Sequence, residues 1–296
     1  MLTPHLSSRF NSALKFGIAR GLVPFDWGAL RCRRDFAQFV RADHAPQTFT
    51  EKVRYKLARD RRPIARTYAD KIAVRDYVRQ VCPAVRLPQL LRVFDDPANI
   101  LDHLPEPPWV MKASHGSGMV LLCQEAGAVS AQEISRRAQR WFETDYALAY
   151  WEWQYLRLPR RVLFEEFLGD DSVAPDDYKF YVIHQKVRFI EIDQGRFTHH
   201  TRDFFRPDWT RIDSRIGPAP CAPIAPPAPA RLADMIAIAE QLSCDTDFLR
   251  VDLYAIRGEI YFGELTHSPA AGNFDFTDAA LDQQLGHGWQ VPAEYR

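Results

Sequence analysis

The stretch FLRVDLYAIRGEIYFGELT, residues 248–266, decides the fold. Two β-rich runs flank Arg257-Gly258, which reads as a hairpin. Strand side chains alternate between faces, so Leu249, Val251 and Leu253 share one side and Phe248, Arg250, Asp252 and Tyr254 the other. One face is dry and the other carries charge. In the return run Glu264 and Thr266 lie on one face with Ile260 and Phe262. A two-residue Arg257-Gly258 loop pairs Ile256 with Glu259, hence Asp252 with Gly263, and throws Glu264 to the opposite side. A longer loop, or a bulge that pairs Ile256 with Ile260, sets Asp252 against Glu264. In that second register two adjacent carboxylates suit Mg²⁺, a hard cation that takes carboxylate oxygens plus substrate phosphates. In the first they are surface carboxylates on a half-exposed sheet.

Further strands are expected in PPWVMKA, MVLLCQ, RVLFEEFL, YKFYVIH and KVRFIEID, each bounded by turn residues. Helices interrupt them. AQEISRRAQRWFE follows a capping box formed by Ser130 and Glu133, and RLADMIAIAEQLS forms another helix. The proline-rich run 218–230 reads as a polyproline-like surface connector. Residues 1–66, with DWGALRCRRDFAQFVRADH and FTEKVRYKLARDRRP, carry helical spacing and no strand-like alternation. Short turns between consecutive strands imply an α+β fold with mainly antiparallel sheets. The expected organisation is a helical segment 1–66 followed by one domain, 67–296.

A chain of 296 residues that is 46% hydrophobic has material for a sizeable core. Lys plus Arg and Asp plus Glu are equal at 38 each, so no net field attracts nucleic acid or an anionic bilayer. The five cysteines lie apart, without C-x-x-C spacing, which points away from a disulfide framework or structural zinc and toward a reducing cytoplasm. The first residues lack a signal-peptide core, and no run reaches the roughly 20 apolar residues of a membrane span. The patch Leu14–Phe25 is either a buried helix face or a contact for a membrane or partner. Arg59, Arg61, Arg62 and Arg66 either meet an anionic substrate or end a helix in solvent.

Three further constellations carry chemistry. In VMKASHGSGMV, 110–120, a strand delivers Lys112, and Ser114, His115, Gly116, Ser117 and Gly118 form a small turn whose amides and hydroxyls suit a phosphate. It is not a Walker loop, and an ordinary glycine hairpin is the other reading. In RVLFEEFLGDD, 161–171, Glu165 and Glu166 interrupt an apolar strand, where unpaired buried carboxylates are costly; a strand ending between two lobes offers backbone groups to adenine and ribose. In DDYKFYVIHQKVRFIEIDQGRFTHHTRDFF, Lys179, Lys186, Arg188 and Arg202 supply cations for a transferred phosphoryl group, and the pair His199-His200 lacks a third zinc ligand.

Taken in order, DKIAVRDYV, PPWVMKASHGSG, WEWQY, VLFEEFLG, DYKFYVIHQKVRFI, HTRDFF and LRVDLYAIRGEIYFGELTHSP resemble the TupA-like branch of the ATP-grasp superfamily, named for teichuronopeptide biosynthesis. The resemblance spans about residues 67–290. It implies two α+β lobes gripping ATP and Mg²⁺, with a hinge near 164–169. It further implies that Lys71 and Lys112 contact phosphates, that Ser114–Gly118 close over them, and that Glu165, Glu166, Phe167 and Leu168 line the adenine. By the same resemblance Asp252 and Glu264 bind magnesium, Arg250 stabilises an acyl phosphate, and Thr266 stands where many members carry a metal-binding asparagine. SPAAG replaces a tighter proline-glycine turn. The implied activity joins an amine or amino acid to a carboxylate, expected to be a uronic or sugar-linked acid, in cell-surface polysaccharide assembly. The same residues leave open a small-molecule kinase, or a non-catalytic nucleotide-binding partner of a glycosyltransferase system.

Overall fold

The computed structural model describes residues 4–33, 45–169, 174–196 and 198–295. The helical reading of 34–44 and the last two positions of RVLFEEFLGDD lie outside these described residues.

Among the described residues every pairing between named strands is antiparallel, in two sheets. The smaller comprises β1 (Leu90–Phe94), β2 (Trp109–Ala113), β3 (Val120–Cys123) and β4 (Val162–Glu166), in the order β1-β4-β2-β3. Helix α6 (Ala131–Glu143) lays Ile134, Ala138 and Trp141 on it against Trp109, Met111 and Phe164. The larger sheet runs β10-β9-β5-β6-β7-β8, built from β5 (Asp177–Ile183), β6 (Lys186–Gln194), β7 (Thr201–Phe205), β8 (Arg211–Ile212), β9 (Phe248–Ile256) and β10 (Glu259–Thr266). Every expected strand is present; β1, β7 and β8 are additional.

Both faces of the larger sheet are covered. On one, α5 (Ala73–Val81) and α8 (Leu232–Leu242) pack Val78, Met235 and Ala239 onto Leu249, Val251 and Leu253, which are 0% exposed. Burying each such aliphatic side chain contributes about 1.5–3 kcal/mol. On the other, α3 (Phe49–Arg59) and α9 (Ala279–His287) pack Phe49, Leu281 and Leu285 against Tyr181, Phe189, Phe248 and Trp289. Thr48 and Glu51 start α3 with a complete capping box, the Thr48 hydroxyl accepting from the Glu51 amide and the Glu51 carboxylate from the Thr48 amide. At α6 the box is half made: Ser130 accepts from the Glu133 amide, but the Glu133 carboxylate turns to Arg136 and Arg137. Charge-assisted bonds to two guanidiniums outcompete a backbone amide.

The register of the β9–β10 hairpin follows neither sequence alternative in full. The loop has two residues, with Arg257 and Gly258 both at positive φ, and Ile256 faces Glu259. A bulge then occurs between Phe262 and Glu264, so that Leu253 pairs with Phe262 while Asp252 pairs with Glu264. Gly263 is the extra residue. It also shifts the phase of the strand: Ile260, Phe262 and Leu265 all join the hydrophobic core, which corrects the reading that Glu264 and Thr266 share a face with Ile260 and Phe262.

The N-terminal helices do not float. In α1 (Pro4–Ala19) and α2 (Phe25–Cys32), Leu14, Ile18, Phe25 and Ala29 pack on Leu148 and Trp151 beside α7 (Tyr146–Tyr150), while Phe16 and Leu22 stay exposed. The arginine run divides: Arg61, exposed, donates to the Leu57 and Asp60 carbonyls at the end of α3, whereas Arg62 and Arg66 are drawn inward. Arg62 donates to Asp60, Arg61 to Asp26, and Arg66 to the Leu156 carbonyl as α4 (Ile64–Ala69) begins. The proline-rich run is tied down: the Pro220 carbonyl accepts from the Arg202 amide and that of Pro226 from the Trp209 indole. No helix among the described residues is long and apolar enough to cross a membrane.

Candidate functional site

A cleft of about 560 Å³ lies between the two sheets. Its floor on the large-sheet side follows from the pairings. Lys179 faces Asp252, Asp177 faces Asp193, Asp193 faces Arg202, and Asp252 faces Glu264. Alternation places Asp177, Lys179 and Tyr181 on one face of β5, and Glu191 and Asp193 on the same face of β6. The opposite wall is Val110, Lys112, Val120, Leu122, Glu165 and Glu166 of the small sheet. Phe167 and Leu168, just past β4, line the cleft where the chain leaves the small sheet.

Charges in the cleft are paired in ways sequence alone does not reveal. Lys179 lies 2.8 Å from Asp177 and also contacts Asp193; Arg202 reaches Asp193 at 2.7 Å and Glu191 at 3.0 Å. Burial opposes the charge on Lys179, but Asp177, Glu191, Asp252 and Asp193 outweigh it and raise its pKa. Arg250 grips both oxygens of Asp252 at 2.7 Å. Burial nonetheless pushes the Asp252 carboxyl up to about 7, with the Arg250 guanidinium opposing. Glu264 lines the cleft beside it and has no ion-pair or hydrogen-bond partner among the described residues.

On the small-sheet side Glu165 is bonded by Arg75 at 2.7 Å and Lys112 at 2.6 Å, which removes the cost of a buried lone carboxylate. Glu166 accepts from the Gln89 amide at 2.7 Å. Lys71 donates to the Gly116 carbonyl at 2.6 Å, and burial lowers its pKa.

The glycine turn divides. Ser117 and Gly118 line the cleft. Ser114 and His115 are buried and turned away: the Ser114 hydroxyl bonds to the Pro159 carbonyl, and His115 Nε2 to that of Trp141. Gly116 is packed so that a Cβ would stand 2.8 Å from the Tyr146 ring. Thr266 faces Arg250, its hydroxyl buried without a partner, and it is not among the cleft-lining residues. Lys186 points outward and pairs with Glu240, and His200 contacts Asp193.

Asp177, Tyr181, Glu191 and Asp193 were missed in the sequence, although period-two alternation from Lys179 would have found them. Arg75 had no such signal, because a helix brings it to Glu165 from 90 residues away.

The donor set fits a hard divalent ion. Asp252 and Glu264 are adjacent carboxylates, and cross-strand neighbours place Cβ atoms about 4.5–5.5 Å apart. No cluster of three or more metal-binding side chains occurs among the described residues. Two carboxylates completed by phosphate and water oxygens is the pattern for magnesium.

Solved structures similar to this chain include an ATP-grasp ligase, PsnB, complexed with a minimal precursor (15% identity, TM-score 0.43, covering 76% of this chain and 60% of that one). D-Alanine-D-alanine ligase from Helicobacter pylori matches at 17% identity and TM-score 0.46, over 76% of this chain and 62% of that one. L-amino acid ligase from Bacillus licheniformis matches at 14% and 0.45, over 75% and 49%. This chain thus spans about three fifths of the length of the first two and half of the third. No curated protein matches it. The profile described as TupA-like ATPgrasp matches residues 51–290, and the chain belongs to the TupA-like ATP-grasp family.

Proposed function

We propose that this chain is an ATP-dependent carboxylate-amine ligase that makes an amide through an acyl phosphate, joining an amine or amino acid to a sugar acid in cell-surface polysaccharide assembly. The observation that carries it is the bulge at Gly263, which sets Asp252 and Glu264 side by side in a cleft that Lys71 and Lys112 also line. Family membership supports the nucleotide, and the Glu264 carboxylate, which has no ion pair among the described residues, supports the ion. The sugar acid and the cytoplasmic setting rest on the family resemblance and on five cysteines that all stand free.

In this reading the apolar walls Val110, Val120, Leu122 and Phe262 sandwich adenine, next to the backbone of Glu165–Leu168. Residues 164–169 serve as the hinge between lobes, and 67–296 as the domain that grips ATP. Lys71 and Lys112, with the amides of Ser117 and Gly118, hold the phosphates. Asp252 and Glu264 would hold Mg²⁺, which when bound neutralises phosphate charge; Thr266, two residues on from Glu264 and outside the cleft lining, would reach it only if the hairpin end shifts. Arg250, Lys179 and Arg202 offset the charge that develops on the transferred phosphoryl group.

An oxygen of the substrate carboxylate attacks the γ-phosphorus in line, and the bond to ADP breaks with its electron pair leaving on ADP. The amine nitrogen then attacks the carbonyl carbon of the acyl phosphate. The C–N bond forms, the C–O bond to phosphate breaks, and the nitrogen loses a proton.

Hydroxylamine tests this directly. With ATP, Mg²⁺ and a panel of uronic acids, hydroxamate should accumulate in step with ADP. A phosphate ester without hydroxamate makes the protein a kinase. ATP and Mg²⁺ that raise the melting temperature while no acid and amine pair yields ADP make it a non-catalytic binder.

A further inference from the structure

Close enough to Glu264 to feel its charge, and outside the residues that line the nucleotide cleft, the structure buries a carboxylate that no ion pair among the described residues neutralises. Glu152, in the WEWQY stretch, is 9% exposed and forms no ion pair with any described residue. The cation that acts on it electrostatically, Arg33, directs its guanidinium to the carbonyls of Tyr150 and Ala271 at 3.5 and 3.4 Å. Gln154 Nε2 donates to Glu152 at 2.9 Å and to the Ser268 hydroxyl at 3.0 Å. Gln154 is 3% exposed, and its Oε1 has no hydrogen-bond partner among the described residues. Burial, with Glu264 adding repulsion, pushes the Glu152 carboxyl up to about 7.

This cluster is rich in acceptors and short of donors. A buried carboxylate with neutral donors but no ion pair, and a buried amide oxygen without a donor, each carry a desolvation cost that a cationic, donating ligand offsets. Tyr146 and Tyr155 pack edge to face at 4.7 Å beside it; the Tyr146 hydroxyl favours the Glu152 charge, while burial and then that charge raise both phenols. A primary ammonium fits this demand, being a compact cation with three donors and no acceptor, favoured also by aromatic faces. The cluster borders the cleft, since Ser268 directly precedes Pro269 and Ala270 of the cleft wall and Tyr146 abuts the glycine turn.

We infer that Glu152, oriented by Gln154 and Ser268, forms the subsite for the ammonium group of the acceptor substrate, which makes that acceptor a primary amine or amino acid. The inference rests on the ligase reading above and names the half of the site that reading leaves open. Gln154 is a positioning residue whose free carbonyl oxygen takes a second ammonium proton.

The test compares acceptors on the full chain. Wild type, Glu152→Gln and Gln154→Leu are assayed with ATP, Mg²⁺ and the same uronic acids, once with hydroxylamine, uncharged at neutral pH, and once with the amino acids and ethanolamine. Glu152→Gln should raise the KM for the amine roughly tenfold to hundredfold, the cost of one charged hydrogen bond, and at least tenfold more than it changes the KM for ATP or for hydroxylamine. Gln154→Leu should shift the same ratio in the same direction by less. Equal losses with both kinds of acceptor would make Glu152 a structural group and overturn the subsite. Hydroxamate from the wild type with no amine accepted would also overturn it while leaving the ligase reading intact. Absence of hydroxamate from every acid would remove both.

Discussion

Arg250 holds both oxygens of Asp252, which pairs with Glu264, so under the proposed metal role the two demands on Asp252 compete. A cation bound there must share the carboxylate with the guanidinium, so Glu264 supplies the unencumbered oxygens. Asp252→Asn and Glu264→Gln are each expected to lower ADP release by roughly a hundredfold or more, as for groups that stabilise developing charge. Far-UV circular dichroism should show the fold retained; near-normal turnover by both variants would remove the metal assignment. Lys71, half-buried, is tied to the Gly116 carbonyl, which keeps its ammonium aimed at the glycine turn. Lys71→Met should raise the KM for ATP roughly tenfold to hundredfold, measured in steady state at saturating acid and amine.

At the scale of the element, the hairpin β9–β10 depends on one residue without a side chain. A Cβ on Gly263 would stand 2.9 Å from the Asp252 carbonyl oxygen, so any larger residue must push the strands apart or remove the bulge. Removing the bulge restores simple alternation and turns Glu264 away from Asp252. Gly263→Val is therefore expected to abolish Mg²⁺-dependent binding of ATP, read by calorimetry, and to cost about 1–3 kcal/mol in urea unfolding. The alternation in Phe248–Ile256 was legible in the sequence because one face is uniformly aliphatic. The bulge was not, because local spacing permits several registers and the choice is made by burying Phe262 and Leu265 together. Thr48→Ala, which removes the α3 cap, should lower stability by about 1 kcal/mol with no change in KM for ATP.

Across the whole molecule, a buried ionic network fastens α3 and the turn after it to the larger sheet. Lys56 contacts Asp60 at 2.9 Å and Asp247 at 3.0 Å; Arg62 joins both, and Tyr295 and Trp289 donate to Asp247. Lys56, Asp60 and Asp247 are almost wholly buried, so removing one partner strands a charge. Lys56→Met should cost roughly 3–5 kcal/mol, seen as a lower urea midpoint. Burial alone would raise the Asp60 carboxyl, but hydrogen bonds from His267 and Arg62 and the Lys56 charge hold it well below its ordinary 3.8. Asp247 is likewise lowered, burial opposing and Lys56 leading the groups that win. A carboxyl depressed in the folded state contributes stability that is complete above its unfolded value and drains away as pH falls below it. Melting temperature should hence fall steeply below about pH 4, and less steeply in Lys56→Met.

The sequence by itself determined the α+β class, the strands β2 to β6, β9 and β10, the dry and charged faces of Phe248–Ile256, and the place of Lys112 at the head of a glycine turn. Those features follow from local rules: period two, turn residues and capping. Only the tertiary structure decided that Asp252 meets Glu264, that Glu165 is shared by Lys112 and Arg75, that Ser114 and His115 brace the turn instead of facing the cleft, and that Glu152 lies buried beside Gln154 without an ion pair among the described residues. Each of these depends on packing between separate elements and not on local spacing. Burial energy summed over the whole fold selects such pairings, and no window of sequence contains that sum.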